Sequence, residues 1–223
     1  MKQLFVIIFC VTTFMAVSQE EGKKSGVGFY VYGGVQIPEL NNLDALLSAN
    51  NYAPIANEHF SGGFALYKEF GKIVSTVEVF AYNRQRESLG NFSSLRVFSG
   101  SLSVGYNLFS SSEKYAFIPS LALNVYQATI KTSVAPTANV DYPTFISTGN
   151  QEEINGIGMG VSANVTALIS PFEKWKSFHF GIRAGYNLTT TLDWKTVNGH
   201  SVNNVPDMEP LGANVSLLVG LKF

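Results

Sequence analysis

The sequence has almost no cysteine and little charge: one Cys in 223 residues, and 14% Asp, Glu, Lys and Arg. An ordinary soluble domain carries about 25% charged residues, so the polar cover of a water-soluble surface is thin. Lys and Arg number 15 against 16 Asp and Glu, for a formal net charge of −1. No basic stripe is available to grip phosphates, which excludes nucleic acid as a partner. With 46% hydrophobic residues the chain is not a disordered one either. No apolar run reaches the roughly 20 residues of a membrane-crossing helix. The three histidines lie far apart without clustered carboxylates, so neither a metal nor a cofactor is expected.

What is present begins with a targeting segment. Lys2 supplies a positive start, residues 4–11 (LFVIIFCV) an apolar stretch, and Ala16-Val17-Ser18 a small-x-small cleavage site before Gln19. Thr12 and Thr13 interrupt the apolar run, as a spanning helix would not. Residues 1–18 read as a cleaved secretory signal and 19–223 as one domain. Cys10 goes with the signal, so the mature chain has no disulfide, thiol chemistry or thiolate metal site.

From Val27 onward the hydrophobic period is two, that of strands. At the C-terminus Leu211, Ala213, Val215, Leu217, Val219, Leu221 and Phe223 share one face, opposite Gly212, Asn214, Ser216 and Gly220. The same alternation marks 95–108, 115–126, 154–169 and 178–188, and less clearly 27–37, 60–68 and 73–84. In 73–84 both faces carry apolar residues, and Val77, Val79 and Ala81 are assigned outward. The connections alternate too. Those at roughly 38–58, 85–94, 131–152 and 190–210 are long, and those at 69–72, 109–114 and 170–176 are short. Leu43, Leu46 and Leu47 have helix spacing within the first long one.

Amphipathic strands suit either a soluble barrel with apolar faces inward or a membrane barrel with those faces toward lipid. The polar positions decide. A water-facing sheet carries Lys, Glu and Thr, whereas here they are mostly Gly, Ser, Ala and Asn, which fit the crowded interior of a narrow barrel. Charges gather in turns and loops, as the cost of lipid-exposed charge requires. Phe109, Tyr115, Phe117, Phe172, Trp175 and Phe178 crowd the short-turn ends, joined by Phe29, Phe70 and Tyr106. They read as an aromatic girdle at headgroup level.

The signal, the eight alternating segments, the alternating loop lengths and the ending Leu217-Leu218-Val219-Gly220-Leu221-Lys222-Phe223 resemble a small outer-membrane β-barrel protein of Gram-negative bacteria. The group in question contains the OmpA transmembrane domain, OmpX, OmpW and porin-like small barrels. The resemblance implies an all-β, eight-stranded antiparallel up-and-down barrel with short periplasmic turns and long extracellular loops, located in the outer membrane. It also implies that Leu217, Val219, Leu221 and Phe223 form the signal read by the barrel-assembly machinery. Outer-membrane lipid and that machinery are the implied partners, with an unknown surface ligand or protein beyond them. A ten-stranded barrel is the alternative if Val140-Asp141-Tyr142 pairs.

The lumen-facing charged candidates are Glu78, Arg183 and His179, with Arg84 a fourth. The third and seventh wall strands face each other across an eight-stranded barrel, so Glu78 and Arg183 are expected to pair. His179 has no serine two residues away, and catalysis needs a nucleophile, base and orienting group within reach; no enzyme is expected. His59 and His200 are expected to be solvated surface residues. The loop acids Asp141, Glu152, Glu153, Asp193, Asp207 and Glu209 lack calcium-loop spacing. The expected role is a non-enzymatic anchor or surface-interaction protein acting through its loops. A narrow porin-like channel or conduit for small or hydrophobic solutes is the alternative, and a secreted lipocalin-like carrier the second.

Overall fold

The computed structural model describes residues 26–55, 58–88, 90–112, 114–133, 151–172, 177–190, 193–206 and 208–223. The alternating segments form β1 (Val27–Glu39), β2 (His59–Phe70), β3 (Ile73–Ser88), β4 (Asn91–Tyr106), β5 (Tyr115–Ser133), β6 (Gln151–Ile169), β7 (Phe178–Thr189) and β9 (Glu209–Lys222). A short β8 (Asp193–Thr196) and one helix, α1 (Asn41–Ala49), lie in the long connections. Each wall strand pairs antiparallel with its sequence neighbour. β1 pairs with β9 and β5 with β6, so the eight-stranded sheet closes on itself without an edge. β8 adds to β6 beyond the point where β7 leaves it.

The apolar faces point outward. Val31, Leu102, Leu123, Met159, Ile182 and Leu217 are all exposed. Their partners in alternation, such as Tyr32, Ser101, Asn124, Ser162, Arg183 and Ser216, are buried. A wall of this kind costs about 25 cal/mol per Å² if it meets water, so it needs a hydrocarbon surround. A soluble lipocalin-like barrel would have the opposite arrangement.

Two inward positions show how the narrow interior is filled. Tyr32 on β1 sits opposite Gly63 on β2, and Tyr67 on β2 opposite Gly28 on β1. A Cβ at either glycine would collide with the tyrosine ring lying over it. The glycines of the polar face thus seat aromatic rings.

Strand lengths divide the barrel into two storeys. On β4 the outward apolar belt runs from Tyr106 to Phe98, close to the 9–11 residues that a tilted strand needs to cross a membrane. Above it Arg96 faces out, and on β5 Gln127, opposite Phe98, marks the belt's upper edge. β2 and β7 have 12 residues, but β3 and β4 have 16, and β5 and β6 have 19. The surplus stands above the belt. The β2–β3 ladder ends at Ser61 opposite Tyr82, so residues 83–88 continue paired only with β4.

The expectation of a long loop at 85–94 is therefore corrected. β3 runs to Ser88 and β4 starts at Asn91, joined by a tight turn in which Gly90 has φ 81°. The polar residues there belong to strands outside the belt, where alternation of apolar residues is no longer needed. Likewise β5 and β6 extend to Ser133 and from Gln151; the pairing considered for Val140-Asp141-Tyr142 lies outside the described residues. Leu211 is corrected as well. It is fully buried rather than on the outward face, because the β1–β9 register shifts between Ile37 and Glu39 and Gly212 adopts φ 39°. That bulge turns Leu211 inward.

Candidate functional site

The middle of the lumen is a polar layer. Arg183 on β7 donates from Nη1 to Glu78 Oε2 on β3, and both side chains are almost entirely enclosed. The guanidinium carbon lies 4.3 Å from the centroid of the Tyr32 ring and 5.8 Å from that of Tyr30. Two charges thus share a box of phenol rings and small hydroxyls, with cation–π contact adding to the ion pair. Nearby, Asn124 Nδ2 donates to Ser162 Oγ at 2.8 Å. The cavity left between Glu78, Arg183, Thr76, Ser101 and Asn164 has about 20 Å³. That is room for about one water molecule, not for a solute column.

The long-loop end is closed by apolar packing that alternation alone does not reveal. Above the polar layer the inward positions become Leu95, Val97 and Ile130, and Leu43 and Leu47 of α1 are buried in the same apolar cluster. Leu40, Ile55, Trp194 and Leu211 complete this plug, against which Val202, Val205 and Met208 pack. The helical spacing of Leu43 and Leu47 puts both on the buried side, while Leu46 is exposed. Polar ties hold the segment down. Asp44 Oδ1 accepts from the Ile55 amide at 2.6 Å, Asn91 Nδ2 donates to the Asn51 carbonyl at 3.0 Å, and Ser93 Oγ donates to the Ala53 carbonyl. His59, expected at the surface, is fully buried, its ring edge-on to Tyr82 at 4.7 Å. It misled because β2 starts inside the mouth, at His59 itself, rather than beyond it. His200 is exposed.

Outside the plug lies a polar groove of about 720 Å³ between the start of α1 and the connection from β7 to β9. Glu39, Asn42, Asp193, Trp194, Asn204 and Glu209 are among its walls. Glu39 and Glu209 face each other on neighbouring strands. The Tyr186 hydroxyl lies 2.7 Å from one carboxylate and 3.2 Å from the other; with a single proton it donates to one at a time. Asp193 is paired with Lys195 at 3.2 Å.

At the opposite end, the His179 Nδ1 lies 2.6 Å from Ser170 Oγ, a contact made by the turn between β6 and β7. Motif spacing passed over this serine because it lies nine positions away. Ser170 is buried, and the crevice beside His179, lined by Tyr67 and Leu168, has no free volume. The pair fixes a ring; it offers no substrate a place. Lys222 on β9 forms an ion pair with Glu69 on β2 at the same end.

The remaining candidates lie on the outer wall. Leu217, Val219 and Phe223 are exposed there, with Leu221 between them half-buried. Phe109, Tyr115 and Phe172 are exposed at the short-turn rim, Phe117 and Phe178 half-buried, and Trp175 lies outside the described residues. The rings meet in separate pairs at the rim: Phe109 with Phe117 at 6.4 Å, Phe172 with Phe178 at 6.3 Å and Phe29 with Phe223 at 6.3 Å. Among the described residues no group of His, Cys, Asp and Glu is placed to hold a metal ion.

No family model matches the chain, and no curated protein matches it by sequence. Solved structures do match its fold. The attachment invasion locus protein Ail of Yersinia pestis, solved with the heparin analogue sucrose octasulfate, aligns over 91% of this chain and 100% of its own, at 10% identity and a TM-score of 0.51. Neisserial surface protein A aligns over 91% and 100%, at 10% identity and a TM-score of 0.50. A major outer membrane protein of Thermus thermophilus aligns over 88% and 99%, at 11% identity and a TM-score of 0.53. A closed eight-stranded wall with its apolar belt outward, matched in fold by these proteins, gives the chain the fold of the small outer-membrane β-barrels.

Proposed function

We propose that this barrel is a non-enzymatic membrane anchor whose extracellular side, the upper halves of β3–β6 and the groove between α1 and the β7–β9 connection, contacts a ligand or protein at the cell surface. The observation that carries this reading is the division of the barrel: a lumen filled by the Glu78–Arg183 layer and sealed by the α1 plug, beneath strands that rise well above the belt. Nothing in a filled lumen calls for strands of 19 residues. Lipid crossing needs about half that number, so the surplus serves the outside. The Yersinia protein of like fold holds a sulfated sugar; here the groove is edged by carboxylates and suits a different ligand.

The test compares cells displaying the full chain with cells displaying a version whose β3–β4 hairpin is shortened to end at Tyr82 and Val97. Both are brought to equal amounts in the outer membrane. Adhesion to gelatin and between cells is measured, with immobilised heparin as the surface that neither version should hold. Loss of adhesion with the short hairpin supports the proposal. Equal adhesion, together with stepwise conductance from the purified barrel in planar bilayers, would give the role to a channel instead.

A further inference from the structure

The outer wall is not uniformly convex. On its periplasmic half an apolar groove of about 580 Å³ crosses β4, β5, β6 and β7. Its low points are Pro119, Ala163 and Ala184, small or flat side chains at positions where the belt elsewhere carries Leu, Val or Phe, with the exposed Val165 standing in register between Pro119 and Ala184. Tyr106 and Leu121 stand as its banks, both exposed. The groove starts at the last residue of β4, level with the aromatic rim, and reaches Ala184 well inside β7, in the hydrocarbon layer. At its lower end the Lys72 ammonium lies 5.8 Å from the centroid of the Tyr106 ring. Lys72 is exposed in the β2–β3 turn, and its carbonyl accepts from the Asn107 amide at 2.7 Å, which fixes the turn against the end of β4.

We propose that this groove is a phospholipid site: one acyl chain of an anionic phospholipid from the periplasmic leaflet lies along Pro119, Ala163 and Ala184, with its phosphate against Lys72. A chain laid in a concavity touches protein on more sides than one lying on a convex wall, and gains dispersion contacts in proportion. The cation at the headgroup end adds preference for negative charge. One lysine near a membrane surface favours an anionic over a zwitterionic headgroup about fivefold. The banks and low points fix the chain's direction, and Lys72 fixes which end is polar.

The test uses the full-length barrel in nanodiscs of phosphatidylglycerol and phosphatidylcholine in equal amounts. The barrel is released into mild detergent, and the lipids it retains are counted by native mass spectrometry. One phosphatidylglycerol per barrel is expected. Filling the groove with Ala163→Leu and Ala184→Leu should remove it, whereas Ala81→Leu, also on the lipid face but on another wall, should not. Lys72→Gln, in an exposed turn where folding is not at risk, should keep a bound lipid but lower the preference for phosphatidylglycerol about fivefold. Equal retention by the filled variant, or equal loss with Ala81→Leu, would overturn the proposal. So would a mass of two chains without lipid that the filled variant abolishes, since a second copy would then occupy the groove.

Discussion

Arg183 and Glu78 meet across the full width of the lumen, from β7 to the opposite strand β3, with the Tyr32 ring beneath the guanidinium. Removing one partner leaves an uncompensated charge inside the wall, at a cost of about 3–5 kcal/mol. Arg183→Met or Glu78→Leu alone should therefore destabilise the barrel by about that much, and the double replacement by less than the worse single one. Urea unfolding in lipid vesicles measures all three. Additive single effects would show that the two groups act independently.

The upper edge of the belt gives a sharper test of membrane placement. Leu123 is outward at mid-belt and 61% exposed, while Gln127 is outward at its upper edge. Leu123→Arg should cost about 2–4 kcal/mol and Gln127→Arg about 0–1 kcal/mol, because the cost of charge falls from the bilayer midplane to the interface. Equal costs at the two positions would show that the boundary is misplaced.

The plug should be separable from the wall. Ile55→Ala or Leu47→Ala leaves a void among fully enclosed apolar groups and should cost about 2–5 kcal/mol. The loss should fall on the loop end alone. Hydrogen exchange of the Ile55 amide, held by Asp44, should quicken, while the ladder between β1 and β9 stays protected. Exchange that quickens throughout the ladder would mean that plug and wall fold as one unit.

Phe223 separates assembly from stability. It is 75% exposed and touches Phe29 at 6.3 Å, a contact worth about 0.5–1.5 kcal/mol beyond area. If the alternating C-terminal residues are the assembly signal, Phe223→Ala should sharply reduce the amount of folded barrel in cells. The variant refolded in detergent should lose little stability. A fall in stability that matches the fall in yield would make Phe223 a packing residue only.

Much of this architecture is written locally. Alternation of period two marks the wall strands because each residue of a membrane barrel faces either lipid or lumen, and those environments want opposite side chains. The placement of Glu78 and Arg183 inside and opposite one another follows from parity and strand count. The helix over Leu43 and Leu47 was legible from spacing alone. Alternation stops informing where the surroundings stop differing. Above the belt both faces of β3–β6 meet water or plug, so 85–94 reads as loop although it is strand. His59 reads as surface although it is enclosed.

What the sequence determined by itself is therefore the barrel, its inverted faces and its small-residue interior, since each depends only on a strand and its immediate surroundings. The tertiary structure alone decided which distant residues fill which space. It put Ser170 on His179, turned Leu211 inward at a bulge, and gathered Leu43 and Leu47 of α1 into one buried cluster with Leu95 and Val97. It also left Ala163 and Ala184, on neighbouring strands, as low points of one groove. Those contacts depend on register and closure, which are properties of the whole sheet, and no single strand carries them.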